Sequence, residues 1–431
     1  MFSMENFARK VKLVKISKRG IVAAVATAGL LFSGVAAPAQ AANKVINVWA
    51  DEGRGPALKT FLEGNTKIAA GYTFKVKTYA SYDALDSAWK KASAAGGPDV
   101  MFHPAGEGVN AAKSGKALPL TFSATAKSQL GVAGLGAGTY KGRTYVVPLD
   151  VDTTTMIWNT KFGAAPKTFA ELVTRFKAAK AAGTATTGIC SSDGTWGSLP
   201  ILTALGGGAW GFKADGVTPD ANKVLFNSDA AVANWKKYLI DPSTKKSNGV
   251  FAWDGWDVCG PQFLAGKTMA LNTGSWRTGS IKEAGIKYTL QPVPTVSGKG
   301  KTNQFTGFGG AFVTSFSTKH GVELGAKKLM EYLASPAGAL AYAKATERPA
   351  VNSAIASKVS ADAAAFGKAG ASNGIVQENA LLGSNAGGAN WYDVLGDVYS
   401  KVLVKGQDID LTFDKAAIIL GKNFAAGMKN R

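Results

Sequence analysis

From Lys44 to Phe102 the chain alternates between strand-like and helix-like stretches joined by short breaks, and this alternation restricts the fold more than any other feature. Lys44-Val-Ile-Asn-Val-Trp-Ala50 is a run of β-formers ended by Asp51-Glu-Gly-Arg-Gly-Pro56. From about Ala57 to Ala70, Leu58, Phe61, Leu62 and Ile68 fall near helical spacing, and Tyr72 to Tyr79 alternates apolar with polar residues. Tyr82 to Ala95 reads as a helix with Leu85 and Trp89 on one face. Gly96-Gly-Pro-Asp99 breaks the chain before the short strand Val100-Met-Phe102. Strand, helix, strand, helix, strand with short connections is the pattern of a mostly parallel α/β sheet. The texture recurs, with helices expected over Phe169–Ala182, Ala230–Ile240 and Val258–Ala265. Strands are expected over Thr268–Asn272, Ile286–Gln291 and Ala311–Ser315, and mainly helix after Val322.

The amino terminus sets the expected compartment. Six basic residues between Arg9 and Arg19 precede an apolar stretch from Ile21 to about Ala37, then Pro38 and Ala39-Gln40-Ala41. A basic region, an apolar region and an A-x-A end form a secretory signal, with residues 1–41 removed. An uncleaved anchor is the alternative, but Gly29, Ser33, Gly34 and Pro38 interrupt the apolar stretch. No cysteine lies beside the cleavage site, so the expected location is a periplasm or the outer face of the cytoplasmic membrane, without a lipobox. The remaining 390 residues suffice for two domains with real cores.

The formal charge is +20, of which +15 stays with the mature part. That balance favours anionic surfaces or an acidic ligand, although scattered lysines form no dense block and equally describe a solvated surface. Nucleic acid is a poor partner for an exported chain with no basic run after the leader. Cys190 and Cys259 are the only cysteines, and an even count in an exported protein suggests one disulfide, with two buried thiols as the alternative. The histidines, His103 and His320, adjoin neither cysteine, so no metal site is expected.

Several local patterns resemble the extracellular solute-binding proteins of carbohydrate importers, the family that includes maltose-binding protein. They are Gly97-Pro-Asp-Val-Met-Phe102 with Ser114-Gly-Lys-Ala-Leu118, then Tyr145-Val-Val-Pro148 continuing to Met156-Ile-Trp-Asn-Thr-Lys161. Pro166-Lys-Thr-Phe-Ala-Glu-Leu172, Phe263-Leu-Ala-Gly-Lys-Thr-Met-Ala270 through Gly274-Ser-Trp276, and Asn390-Trp-Tyr392 follow in the family's order. The resemblance implies a type II periplasmic-binding fold of two α/β lobes with a hinged ligand cleft. Its N-terminal lobe would take 42–150 and 305–350, and its C-terminal lobe 151–304 and 351–431. It also implies a monomer that needs no cofactor, captures a mono- or oligosaccharide and delivers it to the permease subunits of an ABC importer.

Sugar recognition wants aromatic planes for the C–H faces of a pyranose and planar polar groups for its hydroxyls. By the resemblance, Trp276 and Trp391 match sugar-stacking tryptophans and Asp152 an acidic ligand contact, with a hinge hydrogen bond as its alternative. Asp51 and Glu52 follow the first strand, where the family commonly places a hydroxyl acceptor. Ligands of open α/β sheets bind beyond the carboxyl ends of the strands, so the loops carrying Asp51 and His103 should face the cleft. Where maltose-specific members carry an aromatic-acidic cluster this chain has His103-Pro-Ala-Gly-Glu107, a departure in which Glu107 is either a hydroxyl contact or a helix N-terminal acid. Asp193 or Ser192 after Cys190 is a weaker candidate. Trp196, Trp253 and Trp256 are platform or packing residues beside the cysteines, and a Cys190–Cys259 bridge would tie both aromatic loops together. Phe308-Gly-Gly310 would let backbone approach the ligand at Gly310 or simply turn. Arg277 and Arg348 are bidentate donors or structural arginines.

Gly298-Lys-Gly-Lys-Thr302 is not a phosphate loop, because Thr295 stands where the first glycine is required. The alternatives to a sugar carrier are a binder of an anionic solute such as a glycerol phosphate, and a secreted carbohydrate-active enzyme built on two carboxylates.

Overall fold

The computed structural model describes residues 43–215, 218–377, 379–383 and 388–429. The expected signal segment 1–41 lies outside them. The architecture is mixed α/β, built on two principal sheets. In the first, the strands Lys44–Ala50, Tyr72–Thr78 and Val100–Pro104 are parallel, and Gln304–Val313 runs antiparallel to the last of these. Gln304–Val313 also pairs antiparallel with Val146–Thr153 and parallel with Gly374–Val376. In the second sheet the order is Phe251–Ala252, Thr187–Ser191, Thr268–Thr273, Thr155–Asn159, Tyr288–Gln291. Only Thr154 separates the strands Val146–Thr153 and Thr155–Asn159, so there the chain steps directly from one sheet to the other.

Local chemistry accounts for the element ends. Ser81 caps the helix Tyr82–Lys91 by accepting from the Ala84 N–H, and Thr168 caps Phe169–Ala181 through the Glu171 N–H. Leu85 and Trp89, one helical turn apart, are buried in a cluster with Met101 and Phe312 of the first sheet. Thr187–Ser191 and Thr268–Thr273 are buried along their whole lengths, as strands covered on both faces must be. One core gathers Ile46, Val48 and Val313 with the helix Glu323–Ala334; another gathers Trp158, Ile189 and Ala270 with the carboxyl-terminal helices.

Several expected boundaries shift. The first helix covers Gly55–Leu62 rather than reaching Ala70, because Glu63 turns extended and Gly64 takes φ +84°. The second stops at Lys91, where Ala92 is extended. The strand expected at Ala311–Ser315 instead spans Gln304–Val313. Phe308-Gly-Gly310 near its middle offers a turn in sequence, yet Gly309 and Gly310 are strand residues that let neighbouring groups close in. Among the described residues no helix is long and apolar enough to cross a membrane. Cys190 and Cys259 form the expected disulfide.

Candidate functional site

The loop after the first strand carries Asp51, Glu52 and Arg54, and Arg54 is its centre. The Arg54 side chain is only 4% exposed and its Nη1 donates to Asp51 at 2.8 Å. Its Nη2 reaches Asp150 and Asp152, both at 3.1 Å, on the strand that leads into the second sheet. Asp150 and Asp152 are two apart on that strand, so both point to the same side. Arg348 arrives from the far end of the helix Pro336–Thr346 and donates to Asp152 at 2.7 Å, with Asp150 at 3.4 Å. The Tyr342 hydroxyl also donates to Asp150. Gly309 makes room: a Cβ there would stand 2.2 Å from Arg54 Nη2 and 2.3 Å from Asp150.

Electrostatics follow from this packing. Burial pushes the Asp51 carboxyl up, but Arg54 and Arg348 outweigh it and hold it below the usual range. Burial likewise opposes ionisation of Asp150, while Arg54, Arg348 and the Tyr342 hydroxyl bring it down to about 2. Asp152 is raised, by burial first and by neighbouring Asp150, against the pull of Arg54 and Arg348. The pair thus holds its second negative charge less readily than its first.

Trp276 meets this cluster from the second sheet, in the short turn after the strand Thr268–Thr273. The Arg348 guanidinium lies 5.1 Å from the centre of its ring, within cation–π range. Its indole N–H donates to Asp193 at 3.0 Å, and Trp196 stands 6.0 Å away, tilted. The ring folds back over Gly274, where a Cβ would sit 2.1 Å from ring carbons. Arg277, next in sequence, stacks on Trp256 at 4.5 Å and reaches Glu52 at 3.6 Å. Burial raises the carboxyls of Glu52 and Asp193, with Asp51 adding to the shift at Glu52. Glu52 Oε2, Arg277 Nε and Arg348 Nε are buried without a hydrogen-bond partner among the described residues.

Of the residues singled out from sequence, Glu52, Asp152, Asp193, Trp196, Trp256, Trp276, Arg277 and Arg348 converge here. Asp51 is present, but both its oxygens are engaged by Arg54. Others stand elsewhere. Trp391 is fully buried, stacked on Phe424 and met edge-on by Phe226 and Phe305, so it is core and not an open platform. Adjacent helical residues point about 100° apart, and it is Tyr392 that faces outward to Gln377, whose other end accepts from the Trp196 indole. Trp253 packs on Tyr399 and Phe251. Gly310 faces the Val147 carbonyl, 2.5 Å from where a Cβ would be, so its role is strand packing. His103 is inside its strand and fully buried, not in the following loop, with Tyr82 edge-on at 5.0 Å. Glu107 sits in the first turn of the helix Ala105–Lys113 and accepts from Asn110. Among the described residues no group of His, Cys, Asp or Glu is arranged to hold a metal ion.

Burial lowers the His103 pKa to about 4, below the 6.5 of a free imidazole. The unfolded chain therefore takes up a proton between these values while the folded one does not, and stability falls as pH drops from about 6.5 towards 4. Urea unfolding at pH 7 and pH 5 should show this loss, and His103→Leu should reduce the pH 7-to-5 difference.

Two α/β sheets joined by stepping strands, with an aromatic and charged face where they meet, define a two-lobed binding protein. The chain belongs to the bacterial extracellular solute-binding protein family, which it matches over residues 57–368. It is 26% identical over 319 residues to the maltodextrin-binding protein MdxE of Bacillus subtilis, covering 70% of this chain and 71% of that one. It is also 26% identical over 317 residues to a maltooligosaccharide ABC transporter solute-binding lipoprotein of Streptococcus pneumoniae, covering 71% and 72% of the two chains. A maltotriose-binding protein of Pyrococcus abyssi shares 26% identity over a shorter stretch, 41% of this chain and 37% of its own.

Proposed function

We propose that this protein captures a neutral maltooligosaccharide against Trp276 and hands it to the permease of an ABC importer. The observation that carries the reading is the grouping of one aromatic plane with buried, unpartnered polar atoms of Glu52, Arg277 and Arg348. An indole offers its face to the C–H surface of a pyranose, and hydroxyls supply the missing donors and acceptors. Relatives named for maltodextrin and maltooligosaccharides support the same class. Charge favours it over an anionic solute: Asp51, Glu52, Asp150, Asp152 and Asp193 outnumber Arg54, Arg277 and Arg348 at the face, although the whole chain is at +20. The excess repels a phosphate or carboxylate ligand.

The two sheets would then be the cores of two lobes that close on ligand, close to 42–150 with 305–350 and 151–304 with 351–431, except that the first sheet also takes in Val151–Thr153, Gln304 and Gly374–Val376. Closure is a population shift driven by contacts that only the closed form makes. The site captures without turnover, since Asp150 and Asp152 are committed to guanidinium groups instead of flanking a bond to be cut. Titration with maltotriose should change tryptophan fluorescence while chromatography recovers the sugar intact. Shorter products accumulating over time would sink the binding reading in favour of an enzyme.

A further inference from the structure

We propose that the Cys190–Cys259 disulfide is a positioning device for the binding face, fixing as one piece the two side chains that orient Trp276 and Arg277. Cys190 is the penultimate residue of the buried strand Thr187–Ser191, and three residues later Asp193 accepts from the Trp276 indole at 3.0 Å. Cys259 lies in the helix Trp256–Leu264, one turn after Trp256, on whose ring the Arg277 guanidinium stacks at 4.5 Å. The two cysteines are therefore each three residues from one of the supports of the same Trp276-Arg277 turn.

The surroundings leave little slack. Both cysteines are buried, and Cys259 Sγ lies 3.6 Å from the Ser191 carbonyl, so the helix is pinned at the point where the strand becomes the Asp193 loop. Trp256 folds across its own helix over Gly260, where a Cβ would stand 2.8 Å from the indole. The ring is thus held flat beside the cysteine and presents its face to Arg277. Without the bridge, the Asp193 loop keeps its own hydrogen bonds, among them Ser191 Oγ to the Gly194 carbonyl and the Gly197 N–H to the Asp193 carbonyl, but no cross-link fixes it to the Trp256 helix, which begins at an N-cap, Gly255, without a side-chain hydrogen bond. Holding both supports in advance spares the ligand the entropy of ordering them.

The proposal rests on Trp276 as the sugar platform only for its affinity readout. The test compares the oxidised wild type with the Cys190→Ser, Cys259→Ser double variant, both with ¹⁵N-labelled tryptophan. The Trp276 indole resonance is assigned by its loss in Trp276→Phe. Trp158, fully buried in the same sheet with its indole donating to Gly163 at 2.8 Å, reports general loosening. The expected result is a shifted Trp276 indole exchanging about tenfold faster, an unchanged Trp158, and a maltotriose Kd raised about tenfold. A Trp276 indole indistinguishable from wild type overturns the proposal, as does equal loosening of Trp158 and Trp276, which would mean the bridge only adds stability. If the wild type binds no maltooligosaccharide, the functional reading fails while the indole signals still decide this one. Should the serine pair not fold, Cys190→Ala with Cys259→Val, which keeps the space apolar, is measured in its place.

Discussion

Replacing Arg54 by Met should lower the unfolding free energy by about 3–5 kcal/mol, read from urea midpoints at pH 7. The guanidinium serves three carboxylates at once, and its loss leaves Asp51 without its ion-pair partner and Asp150 and Asp152 facing each other with Arg348 as the one remaining cation and the Tyr342 hydroxyl on Asp150. Removing one partner from a buried ionic cluster costs far more than the cluster contributes over an apolar replacement, because the remaining charges stay desolvated. Arg54→Lys should recover only part of the loss, since one ammonium cannot fork toward three acceptors. The defect should also shrink in acid. The low folded pKa of Asp150, about 2, means its stabilisation is complete above its unfolded value near 4 and disappears as pH falls towards 2. A wild-type-like midpoint for Arg54→Met at pH 7 would show that the cluster is not holding the two sheets' junction.

Trp276→Ala should raise the maltotriose Kd by about 30-fold or more, the scale at which loss of a central aromatic anchor is felt. Gly274→Ala tests the same point without touching the indole. A methyl at that position would stand 2.1 Å from ring carbons, so the ring must leave its place beside Arg348 and Asp193. Its Kd should rise in the same direction while circular dichroism stays that of the wild type. Unchanged affinity in both variants would place the ligand elsewhere.

Much of the frame is legible in sequence because each strand and helix carries its own period. Lys44–Ala50 is a run of β-formers with the expected ends, and Tyr82–Lys91 has a capping serine and two apolar residues one turn apart. The disulfide was legible from cysteine count and export. Trp276 and Asp152 came from the ordered resemblance, whereas Asp193, Trp196, Trp256, Arg277 and Arg348 came from residue type and loop position; the resemblance also supplied Trp391, which the fold buries in the core. Whether Trp391 or Tyr392 points inward depends on helix phase, set by how Trp391–Tyr399 docks on Phe226 and Phe424.

The centre of the charged cluster was not legible. Arg54 reads as one residue of a turn between two glycines, and nothing local says that its side chain crosses to Asp150 and Asp152 almost a hundred residues on. The alternate spacing of Asp150 and Asp152 in an otherwise apolar run was the available signal. Likewise Gly309 and Gly310 look like a turn, because sequence does not reveal which neighbour requires the missing Cβ. The side chain of Gln377 links Trp196 to Tyr392 through contacts distant in sequence and carried no motif at all.

Isothermal titration of the folded protein with maltotriose, and separately with glycerol 3-phosphate, tests the central claim most directly. A neutral sugar against Trp276 within a carboxylate-rich face predicts one saturable site for maltotriose and no heat of binding for the phosphate. Saturable binding of glycerol 3-phosphate with none for maltotriose would contradict it.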